Sequence, residues 1–343
     1  LILLLKELIF ISEVQIYKLQ AEVLSGKKET YREFCANKHN LPVFLYDWWL
    51  DAVCGYDNWD VSIVRPDNEI IAFMPYYIKK ILFFKISTLP QLTQFLGPWI
   101  NYPENLKESN RSEFEKKMMN ELITQLPVSD YFDQNFHYSL TNWLPFYWKG
   151  FSQTTRYTYV IEDLVHTDRV FASFSQGKRQ NINKASDLVE VKFDLSAEEF
   201  YRHHKNSLNK NKKQISYSFE LFKSIYEASY SKGCGRSIYA VDKNGIIHSA
   251  LFVVWTKYSA YYLINSIDPD HRNSESASLL TWEMIKYLSP KTYRFDFEGS
   301  MIEGVERSYR QFGTVQKAYF NVTKYNSLLY KVFRDIREKF RNN

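Results

Sequence analysis

The chain has 343 residues, 45% of them apolar and 24% charged, with a formal charge of +5, enough for one large domain or two of ordinary size. Its 26 Tyr, 25 Phe and 8 Trp exclude disorder as the main state, and only 11 Gly and 10 Pro exclude a collagen-like or linker-like chain. Three cysteines, Cys35, Cys54 and Cys234, cannot form a disulfide framework and fit a reducing, cytoplasmic setting, while the mild basic excess permits an anionic ligand without announcing nucleic acid.

In chain order, Leu1, Leu4, Leu5, Leu8 and Ile9 follow helical spacing, which predicts a short N-terminal amphipathic helix packed on the body or a partner. Lys6 and Glu7 interrupt it, so neither a signal peptide nor a spanning helix of ~20 apolar residues is expected. Leu45, Trp48, Trp49, Ala52 and Val53 form a helical stripe that stops at Gly55. Strand-like runs follow at Val61 to Val64 and Ile70 to Tyr77, around a turn at Pro66-Asp67-Asn68. Lys85 to Ile100 reads as extended segments broken by Pro90 and Gly97-Pro98, and Glu113 to Leu126 as a helix ending before Pro127.

Further on, Arg156 to Ile161 reads as a strand, Ser173 to Ala185 as a basic helix, and Lys205 to Lys213 as a basic, Asn-rich loop with nothing to bury. Phe219, Phe222, Ile225 and Tyr226 then repeat the helical stripe, stopped by Gly233 and Gly235. Two strand-like runs, from Ile238 and from Ile246, flank Asn244-Gly245, a strong hairpin signal. The Asn and Ile-Ile positions of the two hairpins are offset by 176 residues, which points to an internal duplication. Ser259 to Asp268 and Arg294 to Phe297 read as strands, and Ala277 to Leu288 as a helix stopped by Pro290. The closing helix gathers Leu329, Val332, Phe333, Ile336 and Phe340 on one face, with Lys331, Arg334, Arg337, Lys339 and Arg341 elsewhere.

Three segments carry candidate chemistry. Asp268 to Ala277 runs from a strand directly into a helix, whose free N–H groups and dipole suit an anion, with Arg272 adding charge. The plainer alternative is that Asn273 or Ser274 simply caps the helix. In Phe295-Asp296-Phe297-Glu298, strand alternation puts both carboxylates on one face. They are candidates to position or deprotonate an amine, or else form a polar face paired with Arg307 or Arg310. Lys178 and Arg179 are placed to hold a phosphorylated group, or are part of a solvated helix face. Seven scattered histidines show no metal-ligand spacing, and no cysteine has a partner motif, so neither metal nor thiol chemistry is expected.

FDFEGSMIEGVERSYRQFG (Phe295 to Gly313), SQGKRQNINKA (Ser175 to Ala185) and FLGPWI (Phe95 to Ile100) together resemble the Fem-type peptidoglycan aminoacyltransferases of the GNAT acetyltransferase superfamily, over roughly Phe44 to Thr323. The resemblance implies an α+β chain of two tandem GNAT-like domains, each a mixed, mainly antiparallel sheet flanked by helices. The expected divisions are an N-terminal helix (1–29), a first domain (30–155), a second, donor-binding domain (156–325) and a C-terminal helix (326–343) returning to the first.

It also implies acyl transfer to an amine, from acyl-CoA such as acetyl-CoA or from aminoacyl-tRNA, without metal, on the cytoplasmic side and at the inner face of the membrane if the acceptor is a cell-envelope precursor. The donor is expected in the second domain beside Val253 and Tyr262, held by Arg272, Asn273, Ser274, Ser276 and Ala277. Lys178 and Arg179 would hold an anionic group, and Trp48, Trp99, Tyr102 and Tyr309 would line the acceptor path. Asp296 or Glu298 would take the amine proton, and Arg310 or backbone N–H groups would stabilise the oxyanion. Two departures stand out: Glu275 replaces a glycine of the CoA loop, and Arg310 stands where the family places a lysine before Phe-Gly. A non-catalytic binder and a nucleic-acid binder using Lys205 to Lys213 are the rival classes.

Overall fold

The computed structural model describes residues 26–38 and 40–342, so the expected helix at Leu1 to Leu24 lies outside the described residues. Helix α1 (26–37) runs through the expected 29/30 division. After α2 (Asp47–Cys54) come β1 (Trp59–Val64), β2 (Ala72–Ile81), β3 (Phe84–Thr88) and β4 (Trp99–Ile100). They are followed by α3 (Glu108–Thr124), β5 (Tyr131–Asn135), α4 (Leu144–Trp148) and β6 (Ser152–Ile161). The helices α5 (Thr167–Ser173) and α6 (Gln176–Ser186) lead to β7 (Glu190–Phe193), α7 (Ala197–Lys210) and α8 (Phe219–Ser231). The chain closes with β8 (Gly235–Val241), β9 (Ile247–Trp255), β10 (Ala260–Ile267), α9 (Ser276–Leu288), β11 (Phe295–Asp296), α10 (Glu303–Arg310), β12 (Val315–Tyr325) and α11 (Leu328–Asn342).

The suspected duplication is visible as topology. In each half a helix leads into an antiparallel hairpin (β1–β2 and β8–β9), a third antiparallel strand (β3 and β10), a crossover helix, and a strand parallel to the third (β5 and β11). The two tight turns differ in chemistry: Asp67 and Asn68 take positive φ in the first hairpin, whereas Gly245 does so in the second.

The final strands are exchanged. β6, which follows β5 in sequence, pairs with β11, while β12, which follows β11, pairs with β5. β6 and β12 then pair with each other from Ser152↔Thr323 to Val160↔Val315. The expected two sheets are therefore joined into one 12-stranded sheet, β1-β2-β3-β5-β12-β6-β11-β10-β9-β8-β7 with β4 on β2, and the division at 155/156 falls within β6.

Alternation along β9 shows how the sheet divides its cores. Ala250, Phe252 and Val254 enter a core shared by the two halves, where Phe44 meets Tyr261 at 4.7 Å between ring centres. Leu251, Val253 and Trp255 enter a second core under α9 that belongs to the second half. A third lies under α3 in the first half, and Tyr330 and Phe333 of α11 pack on Phe84, Ile86 and Tyr131 of β3 and β5. The aromatic load is thus mainly packing.

Two sequence expectations need correction. Ser173 to Ala185 is two helices, because Phe174 turns extended and Ser175 caps α6 by accepting the Lys178 N–H at 3.2 Å. Lys205 to Lys213 is helical through Lys210, since Phe200 and Ser207 give α7 a buried face that the Asn- and Lys-rich stretch conceals. Lys210 is also neutralised there by Asp268 and Asp270, both at 2.7 Å.

Candidate active site

β10 and β11 are paired only at Ala260↔Phe295 and Tyr261↔Asp296. Beyond that point β10 continues to Ile267, whereas the other chain stays with β6, the Phe297 N–H donating to the Tyr159 carbonyl at 2.9 Å. The strands part, and a cavity of about 730 Å³ opens between them. Its walls are β10 from Tyr262, the first turn of α9, the segment Phe297 to Gly299, the inner face of α10, and Lys178 from α6. Of the sequence-predicted residues, Lys178, Arg272, Ser276, Ala277, Glu298 and Tyr309 line this one cavity. Tyr262 is among its walls, while Val253 is fully buried in the core.

Asp296 and Glu298 do not share one strand face. β11 ends at Asp296, and Glu298 and Gly299 both turn left-handed, with φ 59° and 68°. The turn is needed because β6 passes so close: an added Cβ on Gly299 would lie 2.8 Å from Thr158 Cα and nearer still to the Tyr157 carbonyl oxygen. Asp296 consequently points into the protein, 1% exposed, with Oδ1 accepting from the Thr158 hydroxyl and from the Glu298 N–H at 2.8 Å. Burial pushes its carboxyl up to about 6, against the lowering effect of Thr158, the Glu298 N–H and Gln94. Glu298 lines the cavity, with a buried Oε1 that has no hydrogen-bond partner among the described residues. Burial first, and the Asp296 charge second, hold its carboxyl well above the usual range. Burial thus biases both carboxyls toward their protonated forms.

Lys178 is the cation brought inside. The N-terminal turn of α6 delivers it, 5% exposed, to Ser278 Oγ at 3.2 Å and Ser308 Oγ at 3.5 Å, with its ammonium 4.6 Å from the Phe312 ring centre. Burial lowers its pKa and the nearby Glu275 carboxylate opposes that shift. Glu275 takes φ 59°, the left-handed conformation a glycine would favour, and its side chain joins the cavity wall beside Arg272.

It also occupies the cap position of α9, so neither Asn273 nor Ser274 is the cap. Asn273 is exposed, its carbonyl accepting Lys184 Nζ at 3.1 Å; Ser274 is buried, its hydroxyl donating to the His271 carbonyl at 2.8 Å. The Ser276 hydroxyl accepts from Ser249 at 2.8 Å and is engaged below the cavity.

The remaining predicted residues lie elsewhere. The Arg179 guanidinium donates to the Ala172 and Phe174 carbonyls and closes the end of α5. Arg310 is 63% exposed and paired with Glu306 at 3.0 Å, because the period of α10 turns Val305, Ser308 and Tyr309 inward instead. Trp48 lines a separate cavity of about 510 Å³ with Asp47, Cys234 and Trp255. Tyr102 donates to Glu115 at 2.8 Å on the far side of the first half. Trp99 sits against His137 and Tyr258, at 5.8 and 5.6 Å between ring centres.

That last neighbourhood contains the residues sequence reading missed. Gln94, His137 and Tyr138 from the first half, with Thr158 on β6, surround a small internal space behind Asp296. His137 Nε2, Tyr138 OH and Tyr261 OH are buried there without hydrogen-bond partners among the described residues. Burial and the Arg294 charge push His137 down to about 3, keeping it neutral. No local pattern marks these residues, since four separate segments contribute them.

Among the described residues no group of three or more His, Cys, Asp or Glu is placed to hold a metal ion. Residues 172–313, which include the whole cavity wall, match the family described as an acetyltransferase (GNAT) domain. A crystal structure of FemX superposes with a TM-score of 0.61 at 12% identity, covering 85% of this chain and 95% of that one. A conserved protein of unknown function from Bacteroides thetaiotaomicron gives a TM-score of 0.54 at 11% identity, again over 85% and 95% of the two chains. No curated protein matches the chain in sequence. Residues 172–313 thus match a GNAT acetyltransferase domain, and over its whole length the chain shares its fold with FemX.

Proposed function

We propose that the protein is an N-acyltransferase that moves an acyl or aminoacyl group from a CoA thioester or an aminoacyl-tRNA to an amine, with a cell-envelope precursor as the acceptor class favoured by the Fem likeness and the cytoplasmic side of the membrane as its place of work. The observation that carries the proposal is the joining, in one cavity of the GNAT half, of a buried Lys178, a helix N-terminus and the buried Glu298 carboxyl, whose pKa burial raises. The donor carbonyl would lie between Lys178 and the first turn of α9, where the cation and the positive end of the helix dipole suit an oxyanion. This reading gives Lys178 the role first expected of Arg310.

The amine nitrogen would attack the carbonyl carbon directly, with no covalent enzyme intermediate. Its proton would pass to the Asp296 and Glu298 carboxyls, whose affinity for a proton is raised by burial. Collapse of the tetrahedral species would expel the thiol or ribose hydroxyl, which recovers a proton as the carboxyl pair returns to its resting state.

One observation favours a second reading. The Glu275 carboxylate beside Arg272 repels a pyrophosphate, as suits aminoacyl-tRNA better than CoA, or a binding protein that has lost its donor. Transfer assays with radiolabelled acetyl-CoA and aminoacyl-tRNA against a panel of amines test the proposal. Activity abolished by Glu298→Gln supports it; activity untouched by Glu298→Gln combined with Asp296→Asn would end the proton-transfer role.

A further inference from the structure

β2 and β3 are joined by a two-residue turn, Ile81 pairing with Phe84 around Leu82-Phe83. Leu82 takes φ 55° in that turn, a conformation that hairpins normally give to glycine or asparagine. The strained position therefore carries a large apolar side chain, and Leu82 and Phe83 are 74% and 73% exposed. An apolar tip held in such a backbone conformation is a reason to look for function.

The tip is not isolated. The next residue, Phe84, packs on Tyr330 and Phe333 of α11, at 5.0 and 5.5 Å between ring centres. The inner face of α11 is thus committed to the body, while Leu329, Val332, Ile336 and Phe340 remain exposed on its other side. The exposed tip adjoins the helix through Phe84, whose ring meets both Phe83 and α11. Their surroundings are cationic: Lys79, Lys80 and Lys85 flank the tip, and Lys331 and Lys339 flank the helix face. Arg334 and Arg337 line a hollow of about 320 Å³ against Tyr330 and Phe333. Asp335 and Glu338 are the acids of the helix, and Glu338 is engaged by Arg334 at 2.8 Å. No helix among the described residues is long and apolar enough to cross a membrane.

We propose that the Leu82-Phe83 tip and the outer face of α11 form a docking surface for an anionic phospholipid bilayer. The apolar side chains enter the boundary between headgroups and acyl chains, and the lysines and arginines meet lipid phosphates. Charge decides the partner: those seven lysines and arginines of the hairpin and helix stand against Asp335 and Glu338, which favours an anionic surface. The surface is independent of the cavity chemistry, and it holds whether or not the acyl-transfer reading does.

Flotation of the whole chain with vesicles tests this. The protein should float with equal parts phosphatidylcholine and phosphatidylglycerol, and not with phosphatidylcholine alone at physiological salt. Leu82→Ser with Phe83→Ser should weaken partitioning about tenfold or more, and Lys80→Glu with Arg337→Glu by a similar factor. Neither pair touches the cavity, so both should retain transfer to a soluble amine. A wild-type chain that stays with the unbound fraction overturns the proposal, as do variants that float equally well. Ile336→Ser with Phe340→Ser gives a third check by a different readout. If that variant lowers the melting temperature sharply or dissociates a dimer, the face is covered by the chain itself or by a second copy, and the lipid assignment is wrong.

Discussion

Asp296 pairs a raised carboxyl pKa, about 6, with near-complete burial, and the pH dependence of both stability and activity follows. A folded-state pKa above the unfolded value contributes stability that is full below about 3.8 and is lost as pH rises through about 6. Asp296→Asn removes that dependence while keeping an oxygen for Thr158 and the Glu298 N–H. The melting-temperature gap, variant minus wild type, should therefore widen as pH rises from 4 to 8. A gap that stays flat across that range contradicts the burial account. For turnover the sign is opposite, because transfer needs the charged pair: kcat/KM should rise with pH through about 6, and Glu298→Gln should lower kcat by about 10²–10⁴. Lys178→Met separates catalysis from folding. It should lower kcat by about 10²–10³ and leave the melting temperature equal or higher, since a buried ammonium with a lowered pKa is not a stabilising group.

At the scale of the element, local signals were readable wherever a single segment decides its own structure. Asn244-Gly245 gave the second hairpin, Gly55 ended α2, and the Phe219 stripe became α8. They were unreadable where a distant backbone decides. Nothing between Phe295 and Gly299 announces that β6 will pass over Gly299, yet that contact ends β11 and separates the two carboxylates that alternation had put together. Gly299→Ala should accordingly destabilise the protein by more than ~2 kcal/mol, measured by denaturant unfolding. Arg310 lies outside the cavity for a simpler reason: its role rested on the resemblance alone, and the helix α10 turns it outward to Glu306. The cap of α6 offers a milder test. Ser175→Ala should cost ~1 kcal/mol and reduce turnover further than stability, because the Ser175 cap fixes the turn that presents Lys178.

At the scale of the whole molecule, the 176-residue offset was a true sign of two equivalent halves, but it could not reveal how they are joined. The exchange of β6 and β12 makes each half complete its parallel strand pair with a strand from the other, and Phe44 to Tyr261 packing adds a shared core. Unfolding in guanidinium followed by tryptophan fluorescence and by far-UV circular dichroism should therefore give one coincident transition; two separated transitions would mean the halves are independent. The same joining puts Gln94, His137 and Tyr138 behind Asp296, so the site belongs to both halves although the GNAT match covers only residues 172–313.

The central claim is that the cavity where β10 and β11 part is an acyl-donor site. Isothermal titration of the wild-type chain and of Lys178→Met with acetyl-CoA, a long-chain acyl-CoA and aminoacyl-tRNA addresses it directly. The wild type should bind at least one donor saturably, and Lys178→Met should weaken that binding while the fold is retained. No binding of any of the three, or binding that Lys178→Met leaves unchanged, would contradict it.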